Sequence, residues 1–266
     1  MPEYGRTLGN IPMVATADCR ELVACGKITG VAAWSKVGFN ASIDASTEEM
    51  IWTPGGMMTW LTTGQALEVV STDNTNDKAA GTGALTVYIS YLTSTFVEKS
   101  ETVTMNGTTA VATANNDIFR VNAFRVATAG STGACTGTVT LRRSSAGTTV
   151  SQMAIGETRA RNINYTVPVG KALVIDEVDC SSSGADIPKG YVRYKLKSNY
   201  NELTGAVGTL FYTYWELGTN NNSISNDFTL PMMFPAGADI TLTATGSSTT
   251  LAAITSATLR GRVVTV

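Results

Sequence analysis

Hydrophobic positions along this chain recur in strand-length clusters, and after residue 60 none shows the spacing of an amphipathic helix three turns long. The clearest alternation is Tyr191-Val192-Arg193-Tyr194-Lys195-Leu196-Lys197. Val192, Tyr194 and Leu196 face one way and Arg193, Lys195 and Lys197 the other, the pattern of a half-buried strand. Residues 84–92 are β-branched and aromatic, with Leu85, Val87, Ile89 and Tyr91 on one face. Further strands are predicted near 67–70, 102–105, 108–113, 118–126, 138–142, 164–168, 172–178, 210–215, 228–230, 240–245 and 257–264. Polar, Gly-rich stretches separate them at 71–83, 130–137 and 235–239, and Asn106-Gly107 predicts a two-residue hairpin. Many short strands joined by small-residue turns imply an all-β fold, a β-sandwich or jelly-roll-like architecture.

Residues 1–45 read differently. Short apolar pieces such as Ile11–Val14 and Val31–Trp34 are set apart by Gly26, Gly30 and Gly38 without a clean period. They fit an irregular, extended N-terminal arm shaped against a neighbour, or equally a strand pair. Asp18 to Cys25 reads as a turn or two of helix, with Asp18 as N-cap and Gly26 as stop. Residues 46–266 then form the β-sandwich region, as one body or as two packed subdomains dividing near 150.

Composition narrows the chemistry. Of 266 residues, 43% are apolar and 15% charged, too apolar for disorder, and a net charge of -2 argues against nucleic acid as a partner. No signal-peptide layout or bilayer-length apolar run is visible, so no membrane partner is expected. The four cysteines, Cys19, Cys25, Cys135 and Cys180, form no CxxC pair and read as buried free thiols; a Cys19–Cys25 disulfide could form after lysis but is not indicated.

Histidine is absent, which removes Ser-His-Asp, Cys-His and His-ligated zinc arrangements. Asp176, Glu177 and Asp179 are the carboxylates a glycosidase would use, set against the reading of a solvated strand end. Asp73 to Asp77 offers oxygens for Ca²⁺, but Lys78 and Ala84 stand where an EF-hand loop needs Gly and Glu, so an Asx turn is expected. No phosphate loop occurs, and no metal or cofactor is expected. The basic stripe Arg193, Lys195 and Lys197 reads as protection of a strand edge or as a docking face for an acidic subunit. Trp34, Trp52 and Trp60 are interface candidates, and Trp52, Trp60 and Trp215 with Tyr212 and Tyr214 are also candidates for sugar stacking.

Residues 71–91 (STDNTNDKAAGTGALTVYISY), 101–109 (ETVTMNGTT), 118–133 (IFRVNAFRVATAGSTG), 154–170 (AIGETRARNINYTVPVG) and 235–241 (PAGADIT) together resemble a family of virion structural proteins of tailed phages, many of them marine, of the cyanophage type. The resemblance covers roughly residues 46–245; its order carries it, since each motif alone is a turn-and-strand sequence. It implies a β-sandwich structural protein of the virion, assembled in the host cytoplasm and without catalysis. Its partners would be further copies of itself, as a homotrimer by analogy with decoration proteins, and the major capsid protein or other virion proteins. A capsid decoration (cement) or head-fibre role leads. The alternatives are a tail or baseplate protein binding a host glycan, a carboxylate hydrolase, and a single-jelly-roll capsid protein.

Overall fold

A computed structural model describes residues 6–8, 11–13, 22–43, 47–183, 190–200, 207–217, 223–247 and 253–266; at 6–8, 11–13, 207–215, 217 and 229–231 the description is of the backbone alone. The strands run in chain order as β1 (Arg6–Leu8), β2 (Ile11–Met13), β3 (Val31–Ile43), β4 (Glu49–Met50), β5 (Leu67–Ser71) and β6 (Ala84–Leu92). There follow β7 (Glu98–Thr104), β8 (Val111–Ala112), β9 (Arg120–Ala129), β10 (Val139–Arg143), β11 (Thr149–Met153) and β12 (Asn164–Thr166). The last are β13 (Lys171–Ser183), β14 (Val192–Tyr200), β15 (Val207–Leu217), β16 (Ser223–Phe234), β17 (Asp239–Gly246) and β18 (Ala253–Thr265). Helix among the described residues is one turn at 22–24, ended by Gly26 at φ +67°. The protein is all-β.

Four larger sheets carry the fold, in the orders β12-β17-β14-β15 (with β4 on β17), β16-β13-β18-β3, β11-β10-β5-β8 and β7-β6-β9. The first two share one apolar cluster, in which Leu173, Ile175 and Leu259 meet Tyr194, Leu196 and Ile240. The other two share a second, in which Val69, Val139 and Leu141 meet Val87, Ile89 and Phe124. Full burial of each such aliphatic side chain contributes about 1.5–3 kcal/mol. The chain lays Ile43 and Ile51 into the first cluster, builds the second between Leu61 and Met153, and returns with Ile163. A jelly roll would wind its strands about one core. This nested course leaves the four sheets in a four-bladed, propeller-like arrangement and not a clear jelly roll.

Two local expectations change. Residues 31–43, read as part of an arm, form β3, which pairs with β18 from Val31↔Val264 to Ala253↔Ile43. Asn106-Gly107 does turn the chain, with Gly107 at φ +62°, but β7 pairs with β6 and the return strand β8 pairs with β5. The 71–83 loop causes this: the Gly107 N–H donates to Asp77 O (2.8 Å) and the Ser71 N–H to Gly107 O (2.9 Å), so the turn is pinned away from its hairpin partner. Cys19, Asp18 and therefore the N-cap and a Cys19–Cys25 pairing lie outside the described residues; Cys135 and Cys180 are free and buried, Cys25 free and exposed.

The β13–β18 ladder shifts register between Ile175 and Glu177, which lets Leu173 and Ile175 before it, and Val178 and Cys180 after it, all face the core. Gly261 lies opposite Ile175, and a Cβ there would stand 2.0 Å from Val174 O. Gly261→Ala is expected to cost about 2 kcal/mol through strand separation, read as a lower urea midpoint with unchanged slope.

Candidate functional site

The basic stripe sits on β14, which lies between β15 and β17 and so is not an edge; edge protection is not its role. Its charge is answered within the chain. Arg193 Nε donates to Glu216 Oε1 (2.6 Å), Lys195 Nζ donates to Glu48 Oε2 (2.8 Å), and Lys197 pairs with the other Glu48 oxygen. Burial alone would raise the Glu48 carboxyl, but Lys195, Lys197 and Thr243 all donate to it and hold it down at about 2 against an ordinary 4.5. A carboxyl depressed on folding stabilises the fold above its unfolded pKa, and that contribution is lost as pH falls through about 2. Glu48→Gln is therefore expected to lower stability at neutral pH and to remove part of the loss between about pH 5 and 2. Parallel denaturant titrations across pH read the difference.

The carboxylates at the bulge are engaged likewise. Asp176 accepts two contacts of 2.7 Å from Arg262 Nη1, Glu177 accepts from Arg260 Nη1 at 2.8 Å, and Asp179 pairs with the same guanidinium. Glu177 lies directly opposite Arg260 in the β13–β18 ladder, and Asp176 and Asp179 reach their arginines diagonally across it. Asp73 closes an Asx turn: the Asn76 side-chain amide (2.9 Å), the Asn76 N–H (2.9 Å) and the Thr75 N–H (2.7 Å) all donate to it and hold its carboxyl well below the usual range. Among the described residues no group of three or more His, Cys, Asp or Glu is placed to hold a metal ion.

The tryptophans divide. Trp52 is buried with Met50 and Met58, its indole N–H donating to Gly55 O (2.8 Å), and is a packing residue of a small third cluster. Trp60 packs on that cluster beneath the Arg120 guanidinium, 4.8 Å from the ring centre. Trp34 is half-buried on β3 and meets Tyr165 edge-on at 5.1 Å. The side chains of Trp215, Tyr212 and Tyr214 lie outside the described residues.

Between the two large cores stands a polar junction that alternation does not reveal. Arg120 of β9 forms a two-pronged ion pair with Asp239 of β17 (2.9 and 3.0 Å), and Asn122 exchanges hydrogen bonds with the Thr166 backbone (2.8 and 2.9 Å). All four residues are buried. Beside this junction a cleft of about 400 Å³ opens between β3 and the outer face of β6 and β9. Trp34 and Lys36 line one wall, Arg125 and Arg159 the other, and Asn122 and Tyr165 lie between. Of these, sequence reading selects Trp34 alone; the cations come from distant parts of the chain and carry no local signal.

No family model and no curated protein matches the chain. Among solved structures, that of infectious bursal disease virus Gt strain is similar over 92% of this chain and 76% of its own, at 13% identity and a TM-score of 0.19. T=1 particles derived from infectious bursal virus match over 92% of this chain and 82% of theirs, at 10% identity and a TM-score of 0.13. Likeness at that level carries no inference about this chain. No helix among the described residues is long and apolar enough to cross a membrane.

Proposed function

We propose that this chain is a structural component of a tailed-phage virion, a capsid decoration (cement) protein or the base of a head fibre, acting through subunit interfaces without turnover. The observation that carries the reading is the length of its sheet edges. Among the described residues β3, β15 and β16 end their sheets with 13, 11 and 12 residues. β3 holds a single charged residue, Lys36, along its whole length. Monomeric proteins keep edges short or charged, because an open row of N–H and C=O groups templates pairing with another chain. The residues resembling tailed-phage virion proteins support the same reading, and each pair of sheets with its shared core reads as a sandwich module. Proline 231 inside β16 fits an edge strand, where its missing N–H costs no ladder bond.

Light scattering on gel-filtered recombinant protein tests the proposal: a trimer that binds capsids is expected, and a stable monomer that ignores them contradicts it. The cleft between β3 and β9 favours a second reading, a tail or baseplate protein that recognises a host glycan. Labelled antibody on intact particles separates the two, marking heads under the first and tails under the second.

A further inference from the structure

The cleft beside the junction holds more positive charge than the chain neutralises. Lys171, at its rim, is paired with Glu98 at 2.8 Å. Arg125 and Arg159 are not paired with any carboxylate among the described residues, although they stand directly opposite each other in an antiparallel bridge. The flanking bonds fix that bridge: the Val126 N–H donates to Thr158 O and the Ala160 N–H to Phe124 O (2.8 and 2.9 Å). Like charges at opposed positions disfavour the pairing unless an anion lies between them. The Arg125 guanidinium is further held in place over the Tyr88 ring, 4.6 Å from its centre.

The facing wall adds a third cation and a flat surface. Lys36 donates to the Asn122 carbonyl oxygen, one bond for an ammonium that carries three donors. Burial brings it down to about 8, still mostly charged at neutral pH and favoured further by any anion beside it. Two residues away, Trp34 stands half-exposed against Tyr165. A guanidinium fork engages two oxygens of a carboxylate or sulfate at once, and an indole face packs on the C–H face of a sugar ring. The volume falls within the range of small-molecule sites. A nucleic-acid strand would need a groove that follows several phosphates, which a cleft of about 400 Å³ does not offer.

We propose that the cleft between β3 and β9 binds an acidic saccharide, a sugar ring bearing a carboxylate or sulfate, with Arg125, Arg159 and Lys36 holding the anion and Trp34 the ring. This deepens the glycan reading above and does not depend on where in a particle the chain sits. A protein absent from particles that still binds the sugar would sink the virion role and keep this site; a particle protein that binds none would do the reverse.

Isothermal titration of the full chain tests it, with a short oligouronate, a sulfated disaccharide, a neutral oligosaccharide, inorganic sulfate and a mononucleotide as probes. One acidic saccharide is expected to bind, with the neutral sugar and free sulfate each weaker by about tenfold or more. The uronate and sulfate arms distinguish the two anion sources. Arg125→Ala and Arg159→Ala should each weaken binding by about tenfold, and Trp34→Ala by about fivefold. Both arginines are exposed, so each variant should melt no lower than the parent without ligand, since relieving the like-charge pair removes a cost. The proposal is overturned if neither acidic saccharide binds, if the neutral sugar or the nucleotide binds as well, or if the arginine variants bind undiminished.

Discussion

Asp239→Ala is expected to destabilise the protein by about 3–5 kcal/mol, because it strands a buried guanidinium. Asp239 accepts from Arg120 Nε and Nη2, from Asn199 Nδ2 at 3.1 Å and from the Thr166 hydroxyl. Arg120 Nη1 donates to Leu61 O (2.8 Å) and Phe119 O (3.0 Å), and the guanidinium lies between the Trp60 and Phe119 rings. Every polar atom of the pair therefore has a partner, and removing the carboxylate takes the acceptor from two guanidinium nitrogens at once. Replacing both partners, as in Arg120→Met with Asp239→Leu, should recover much of the loss, since no unpaired charge then remains. Because the pair joins strands of different cores, the single variant is also expected to separate unfolding into two transitions in guanidinium chloride. A cost below about 1 kcal/mol, the level of a surface pair, would show the junction to be solvated.

Asp77→Asn is the second large effect, about 3 kcal/mol or more despite near-identical shape. Asp77 is fully buried and accepts from the Ser71 hydroxyl (2.6 Å), the Ala84 N–H (2.8 Å), the Thr136 N–H and hydroxyl (both 3.0 Å) and the Gly137 N–H (2.8 Å). An amide would turn an NH₂ toward donors, leaving one or more backbone N–H groups buried without an acceptor. Burial alone would raise the Asp77 carboxyl, but these donors outweigh it and hold it below its ordinary value. Its contribution is thus present at neutral pH and lost on acidification through the depressed pKa, so the variant should show a shallower acid dependence. Hydrogen exchange should locate the damage in the second core, at β5, β6 and β10, with the first core protected.

Where one strand face meets a core and the other meets charge, the sequence pattern is legible. β14 shows this: Val192, Tyr194 and Leu196 are buried, as their alternation predicts. β9 shows the opposite. Arg120 and Asn122 alternate with Phe119 and Val121 and fall on the opposite, polar face, yet they are buried, because that face of β9 packs on another core through polar groups. β13 hides its phase because the register shift at Asp176 moves the inward set by one residue. The basic stripe could be read as a stripe, but its acceptor Glu48 lies 147 residues from Lys195 and nothing local marks it. Lys36, Arg125 and Arg159 converge for the same reason unseen: only the nesting of one core within the chain path of the other brings β3 against β9.

Reconstruction of the purified particle at residue resolution decides whether this chain works as a virion subunit. Repeated copies of it are expected on the particle, with strands β3, β15 or β16 lying against a neighbouring subunit. Particles that lack the polypeptide, or that carry it with all three strand edges facing solvent, would contradict it.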